Sequence, residues 1–508
     1  MTDRQAPEVR VDPTSSGTPP DPRRWRSLAF ICLAQLMVVL DGTVVNIALP
    51  HAQADLGFSD ANKQWVITAY ALAFGGLLLL GGRIADMWGR RRTFIVGLIG
   101  FAAASALGGA ALSTGMLMGA RAVQGMFGAL LAPAALSLLT VTFTEPRERA
   151  KAFGVFGAIV GGGAAIGLIL GGVLTEYLNW RWTLYINVAF AAVAVVGAVT
   201  VVREPRTGAG HRRLDVVGAT LASAGLAALV FGFSRAATDG WSDTGTVAVL
   251  IASAVLLGAF AYWQTRAPAP LLPLRVVLER NRGGAFLSLG LAVIGMFGLF
   301  LFMTFYLQVV LRYSPVVAGV AFLPMVVGMM IGSTQIGARL TTRVAPRVLM
   351  TPGLLVAAGG LAILAQIRVD SSYAEVVLPG LFLMGVGLGT AFMPAINLAT
   401  HGIDEQDAGV ASAMVNTSQQ IGGAIGTALL NTIATTATAS YLTVHAHLIT
   451  SPAAGRMLHM EAMVHGFSTG IWWGVGAVLL AAAVSFALIT TDHPAGVPRD
   501  EEAAPVAA

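Results

Sequence analysis

The feature that most constrains this chain is a succession of apolar runs, each near 20 residues long, beginning at residue 27 and continuing almost to the end. About 20 residues of helix cross the hydrocarbon core of a bilayer. Fourteen such runs can be read, at 27–49, 64–84, 93–112, 117–142, 152–177, 183–202, 215–235, 246–264, 284–309, 316–338, 348–368, 376–400, 409–436 and 467–490. Inside hydrocarbon every backbone N–H and C=O must find its partner within the protein, which leaves helices or closed barrels. The runs lack the strict alternation of barrel strands. Composition agrees: 56% of the 508 residues are hydrophobic and 11% are charged, against roughly 25% charged in soluble domains. The expected class is an all-α membrane protein with 14 transmembrane helices. Cys32, the single cysteine, supports neither a disulfide nor a thiolate metal site.

Charge sets the orientation. Residues 1–26, rich in Pro, Ser, Asp and Arg, read as a disordered cytoplasmic tail rather than a signal peptide, and 491–508 as a second one. With the N-terminus inside, 24 of the 31 Lys and Arg residues fall in inner segments and six in outer ones, with Arg121 inside a span. This asymmetry follows the positive-inside rule and, with an even number of spans, places both termini in the cytoplasm. It also accounts for the pI of 9.6 without nucleic acid: the basic residues face anionic lipid.

The chain repeats itself weakly. Gly82-Arg83-Ile84-Ala85-Asp86 parallels Ala338-Arg339-Leu340-Thr341-Thr342. Gly119, Gly128 and Pro133 parallel Gly380, Gly389 and Pro394, while Gly154, Gly167 and Gly171 parallel Gly409, Gly422 and Gly426. The offsets are 256, 261 and 255 residues, in one order. This divides the chain into a six-helix half at 27–202, a linker region with helices 7 and 8 at 203–283, and a second six-helix half at 284–490. Two related halves are the architecture of secondary transporters, with the substrate site between them near the midplane. A single-chain channel could repeat in the same way.

Charges inside a span cost about 2.5–3.5 kcal/mol on insertion scales, so the two that stand well inside carry weight. Asp41 lies about 12 Å and Arg121 about 8 Å below the outer surface at 1.5 Å per residue. Two readings are open, a static ion pair or a protonatable acid tuned by its partner. The counterpart of Arg121 in the second half is Phe382, so the fold itself does not demand a cation there. Asp86 sits at the inner end of the second span, between Gly82 and Gly89, which permit close approach and a tight turn. Arg90, Arg91 and Arg92 follow, placed to face phosphates or acids of the other half. Gly154, Gly163, Gly167, Gly171 and Gly172 stripe the fifth span, suited either to close helix packing or to a seal between halves. Asn179-Trp180-Arg181-Trp182 reads as an interfacial anchor. Polar side chains in spans (Asn46, Gln124, Asn187, Asn416 and Gln419, together with Tyr306) are candidates for a substrate cavity. The aromatic ninth span, with Phe297, Phe300, Phe302, Phe305 and Tyr306, is compatible with a bulky apolar ligand. His445, His447, His459 and His465 lie between the last two spans at spacings that fit no strong metal template, and read as a solvated outer loop.

These residues resemble the major facilitator superfamily, and within it the 14-helix branch of drug:proton antiporters. The resemblance covers roughly residues 25–490. LDGTVVNIALP at 40–50 is similar to that branch's first-helix motif, with Asp41 as its acid. Residues 82–92 resemble the superfamily's loop motif: Gly82, Asp86, Gly89 and Arg90 agree, while Ile84 and Met87 depart from its Leu and Arg. LMGARAVQGMFGA resembles the motif whose arginine is Arg121, and NWRWTLYIN the start of the branch's sixth helix. The helix 5 glycines match the family's antiporter motif, but Leu168 replaces the proline that follows its third glycine, which removes a kink. The resemblance implies two six-helix halves plus two inserted helices, proton coupling through Asp41 and Arg121, and an inner gate at Gly82, Asp86, Gly89 and Arg90.

The expected function is proton-coupled export of drug-like or antibiotic molecules from the cytoplasm by alternating access, in the cell membrane. The alternative on the same fold is a proton-coupled importer or uniporter of a small metabolite. Expected partners are a bulky, apolar and cation-compatible small molecule, protons and the lipid bilayer, with no nucleic acid. No cofactor, metal or enzymatic chemistry is expected; the proton gradient supplies the energy. No GxxxxGK[ST], HExxH or paired intramembrane carboxylates are present.

Overall fold

The computed structural model describes residues 22–490 apart from 60, 61, 144, 203–214, 269, 273, 342, 401–407 and 449. The expected tails at 1–26 and 491–508 therefore lie largely outside the described residues. All regular structure among the described residues is helical. The first eight helices are α1 (Arg24–Leu56), α2 (Trp65–Trp88), α3 (Arg90–Gly109), α4 (Thr114–Thr142), α5 (Pro146–Tyr177), α6 (Trp182–Thr200), α7 (Val216–Asp239) and α8 (Thr244–Arg266). Then come the short α9 (Leu274–Val277), α10 (Arg280–Phe305), α11 (Pro315–Ala321), α12 (Leu323–Ile331), α13 (Ala338–Leu340), α14 (Pro346–Leu364), α15 (Leu378–Thr400), α16 (Ala408–His445) and α17 (Pro452–Leu488). Among the described residues, eleven helical segments are long and apolar enough to cross a membrane.

Local chemistry sets the boundaries. Gly57, at φ 68°, ends α1, and Gly89, at φ 103°, turns α2 into α3 within one residue. Ser113, Asp215, Asp243, Ser314 and Ser451 each accept a backbone N–H at a helix start, satisfying donors that have no partner within the helix. The run expected as one span at 316–338 forms one candidate span, Pro315–Gly337. Within it Pro324 has no N–H to donate back, and the helical ladder is interrupted at the single residue Phe322 between α11 and α12. A π-helical stretch, Gly332–Gly337, follows; Tyr306–Val310 and Tyr373–Val377 are π-helical too. The last two helices run past their expected ends at 436 and 467. The supposed loop is an extended hairpin of α16 and α17, with Tyr441 stacked 4.1 Å from His445 and 4.9 Å from His465.

Neighbours recur in the order that the sequence offsets pair them. In the first set α1 packs on α5 and α6, and α3 on α4 and α6; in the second α10 packs on α16 and α17, and α14 on α15 and α17. Small residues allow the approach: a Cβ on Gly125 of α4 would collide with the Tyr70 carbonyl of α2. Helix α7 lies against both α2 and α16. Ser223 donates to the Gly76 carbonyl (3.2 Å), and Thr432 to the Phe233 carbonyl (2.8 Å). Helix α8 packs on α7 and buries only Thr246, Ser253 and Gln264. Asp215 ties this pair together, accepting from Gly218 N (2.8 Å), Trp263 Nε1 (2.7 Å) and Gln264 Nε2 (2.8 Å).

At the start of α8, the Thr246 N–H, and secondarily the Arg235 guanidinium, hold the Asp243 carboxyl below the usual carboxylate range. A depressed folded-state pKa contributes stability above the unfolded value, and this is lost as pH falls through the folded value. Hydrogen-exchange protection of the Thr246 amide should therefore persist at neutral pH and drop only below the ordinary carboxylate range. Asp243→Asn, which caps without titrating, should show no such step.

Candidate functional site

Asp41 and Arg121 meet. Asp41 is fully buried and Arg121 is 2% exposed. Arg121 Nη1 donates to Asp41 Oδ2 at 2.6 Å and to Gln124 Oε1 at 2.5 Å. Its Nε donates to the Val66 carbonyl at 3.0 Å, and its guanidinium lies 4.4 Å from the centre of the Tyr70 ring. Gln124 Nε2 donates to Asp41 Oδ1 (2.7 Å) and to Ser105 Oγ (2.6 Å). Asn187 Nδ2 donates to Asp41 Oδ1 (2.8 Å) and to Ser105 Oγ (3.3 Å). One carboxylate thus gathers α1, α2, α3, α4 and α6 into a single polar clasp. The spacing on α4 explains part of it: Arg121 and Gln124, three residues apart, share one helix face.

The geometry selects an ionised acid. A carboxylate accepts only, and here it accepts from three side chains, one of them cationic. The guanidinium, taken out of water, needs that charge. Adding a proton to Asp41 would leave Arg121 as an uncompensated buried cation and turn one acceptor oxygen into a donor. Asn187 Oδ1 is a buried acceptor that no protein donor among the described residues reaches.

Other expected site residues are placed as follows. Gln124 and Asn187, candidates for a substrate cavity, belong to the clasp. Asn46 donates to the Gly42 carbonyl of its own helix (2.8 Å), and Tyr306, fully buried, donates to the Arg368 carbonyl (2.7 Å). Asn416 is exposed and Gln419 half-buried on α16. The aromatic residues of α10 mostly pack: Phe302 stacks on Phe467 at 5.3 Å and Phe300 on Phe322 at 5.2 Å. In the loop motif, Gly82 approaches Pro133, Gly89 makes the turn and Arg90 opens α3. The Asp86 side chain lies outside the described residues. Arg91, expected to face the other half, donates to the Ala198 and Val199 carbonyls at the end of α6 (2.9 and 2.5 Å). Trp180 is not a lipid anchor: it is 6% exposed and, with Arg181, donates to Asp55 at 2.9 Å.

The helix 5 glycines divide between two partners. Gly163, Gly167 and Gly171 lie against Val39, Thr43 and Val44 of α1. Gly172 faces α11, where a Cβ would lie 2.6 Å from the Pro315 carbonyl, and Gly319 of α11 presses on the Leu168 carbonyl. Gly154 lies in α5, and its surroundings are outside the described residues. Leu168 therefore stands in a seam between the two helix sets, in an α5 that runs unbroken from Pro146 to Tyr177. The same seam holds Gln308 Nε2 on the Ile47 carbonyl (2.9 Å), Val316 N on Glu176 Oε2 (3.0 Å), and Asn431 on Gln64. Among the described residues these contacts gather at the end that the charge asymmetry assigns to the outside. Gly172→Val should hold the seam apart. A thiol placed at Ile47, fully buried beneath it, should then react several-fold faster with an impermeant maleimide added outside. Equal labelling with and without Gly172→Val would contradict this reading of the seam.

Comparison with known proteins shows the family and the fold. A puromycin resistance protein of Streptomyces alboniger is 52% identical over 487 residues, covering 95% of each chain. A cephamycin export protein of Amycolatopsis lactamdurans is 38% identical over 409 residues, covering 80% of this chain and 84% of that one. A multidrug efflux pump of Mycolicibacterium smegmatis is 31% identical over 429 residues, covering 84% of each. In fold, the chain resembles a crystal structure of a bacterial homologue of the human lysosomal transporter Spinster, with a TM-score of 0.61 at 16% identity, over 92% of this chain and 97% of that one. The Major Facilitator Superfamily model matches residues 31–427. This multi-pass membrane protein, a transporter and not an enzyme, belongs to the Major Facilitator Superfamily.

Proposed function

We propose that the chain exports drug-like or antibiotic molecules from the cytoplasm, driven by inward proton flow, in a cell membrane with both termini cytoplasmic. The observation that carries this reading is the Asp41 clasp: Asp41 stands well inside an expected span, away from the span ends where Glu176 and Asp215 lie, and is sealed from solvent and held by donors on two other helices. The kinship with resistance and export proteins supports the direction.

The mechanism follows from the pair. The halves at 27–202 and 284–490 rock about a central cavity, with residues 203–283 connecting them. Opening outward lets Asp41 take a proton; opening inward lets the proton leave. Protonation removes the counter-charge of Arg121, and breaking a buried pair costs about 3–5 kcal/mol. The clasp rearranges, and the balance between the two orientations shifts. Substrate acts on the same balance through its different affinity for the two states. One proton moving through 100 mV supplies about 2.3 kcal/mol, enough for a roughly 50-fold gradient at about 1.4 kcal/mol per decade. No bound cofactor enters.

The seal on Asp41 bears on substrate. A drug ammonium could reach this carboxylate only by displacing Arg121, Gln124 and Asn187. Substrate and proton therefore compete through conformation and not for one oxygen.

The test is expression in a pump-deficient host challenged with puromycin, a cephamycin and ethidium. Export predicts lower cell accumulation and higher tolerance for at least one compound, both abolished by a protonophore. Unchanged tolerance, with growth on a nutrient now dependent on the chain, would replace export by import.

A further inference from the structure

Lys63 stands in the short link before α2, in a position where charge counting makes it a simple outer-surface cation. Yet it is 4% exposed. Its Nζ lies 4.2 Å from the centre of the Phe305 ring and 5.3 Å from that of Phe467. Phe305 ends α10 and Phe467 belongs to α17, so a cation from one side of the outer seam is held by two rings from the other. Beside it, Asn431 of α16 meets Gln64, the next residue after Lys63.

A small cavity continues from this point between α16 and α17. Lys63 and Phe467 share its lining with Asn431, Thr435, His459 and Met463. Without Lys63 the described lining offers the Phe467 ring face, the His459 imidazole, the hydroxyls of Thr435 and Thr438, the Asn431 amide and the Met463 thioether. Ring faces carry negative quadrupole charge and hold ammonium groups at the distances seen here. Such a surface holds any alkylammonium that reaches it, and Lys63 is the one covalently supplied.

We propose that this cavity is an ammonium seat on the exit path. Lys63 fills it while the outer seam is shut; a cationic substrate takes it when the seam opens. Closure returns Lys63 and displaces the ligand outward, so the chain carries its own competitor against rebinding from outside. The proposal rests on the export reading and adds a site to it, separate from the Asp41 clasp and specific for cations.

The test uses the full chain in proteoliposomes of known orientation, with ethidium as a permanent cation and chloramphenicol as an uncharged drug. Lys63→Met keeps the length of the side chain and removes its charge. It should raise ethidium binding from the outer face at least fivefold, measured without a gradient. It should slow net ethidium export at least threefold and leave chloramphenicol export within twofold. Lys63→Arg should behave as wild type, and Phe467→Leu added to Lys63→Met should cancel the gain in binding. Gly172→Val gives a second route to the same seat with Lys63 intact: it too should raise outer ethidium binding, and Phe467→Leu should again cancel the gain. Equal effects of Lys63→Met on both compounds, or unchanged outer binding of ethidium in both routes, would overturn the proposal. A failure of the export reading looks different: wild type would move neither compound, while the binding comparison would still stand.

Discussion

Asp41→Asn is expected to leave a protein that still binds and exchanges its substrate but cannot concentrate it. The amide matches the carboxylate in size and can still accept from Arg121 through its oxygen. It cannot carry a proton across the membrane or switch charge. Uphill export, which one proton at 100 mV supports to roughly 50-fold, should collapse toward equal concentrations, while substrate exchange at zero gradient persists. The substitution also imitates the protonated state, because Arg121 loses its counter-charge. The variant should therefore rest in the orientation that the protonated protein prefers, visible as an altered rate of labelling at a thiol placed at Ile47. Melting in detergent should fall as well, since breaking a buried pair costs up to about 3–5 kcal/mol. Retained uphill export would remove Asp41 from the coupling step.

Arg121→Lys should be nearly as damaging, although it conserves charge. The guanidinium places its Nε on the Val66 carbonyl and its Nη1 on both Asp41 and Gln124 while lying over Tyr70. An ammonium is a point charge on a flexible stem and cannot reproduce that planar set. Losing one or two charge-assisted bonds at about 1.5–3 kcal/mol each corresponds to a tenfold or greater fall in transport at about 1.4 kcal/mol per decade. Arg121→Ala should destabilise more strongly, because it leaves Asp41 buried without a cation. Thermal unfolding separates the two effects: Arg121→Lys should lose more transport than stability, and Arg121→Ala should lose both. Transport by Arg121→Lys within twofold of wild type would show that a charge alone suffices at this position.

The all-helical membrane class was legible because a helix in hydrocarbon must be apolar along its length, and Asp41 and Arg121 because ionised groups there are costly. Their partners were less so. Ser105 and Tyr70 are ordinary residues in ordinary helices, and only the packing of α3 and α2 on α4 brings them to Arg121 and Gln124. Asn187 and Gln124 were visible as polar residues in spans, but sequence could not say whether they faced a cavity or a carboxylate. Trp180 looked like an interfacial ring; Asp55 at the end of α1 supplies the acceptor that lets its indole be buried. Arg91 sits in a basic run, and it donates to two backbone carbonyls, which carry no side-chain signature. The extensions of α16 and α17 escaped because hydropathy reports where apolar sequence ends, not where a helix does. Lys63 was counted as a topological charge, since burial against Phe305 and Phe467 depends on residues more than 200 positions away.

The most direct measurement is proton movement in everted vesicles. A pH gradient is imposed, ethidium or puromycin is added, and a fluorescent pH indicator follows the lumen, with wild type and Asp41→Asn side by side. Substrate-triggered proton release from wild type, absent in Asp41→Asn, is the predicted result. Substrate transport by wild type without proton movement, or equal proton release by both proteins, would contradict coupling through Asp41.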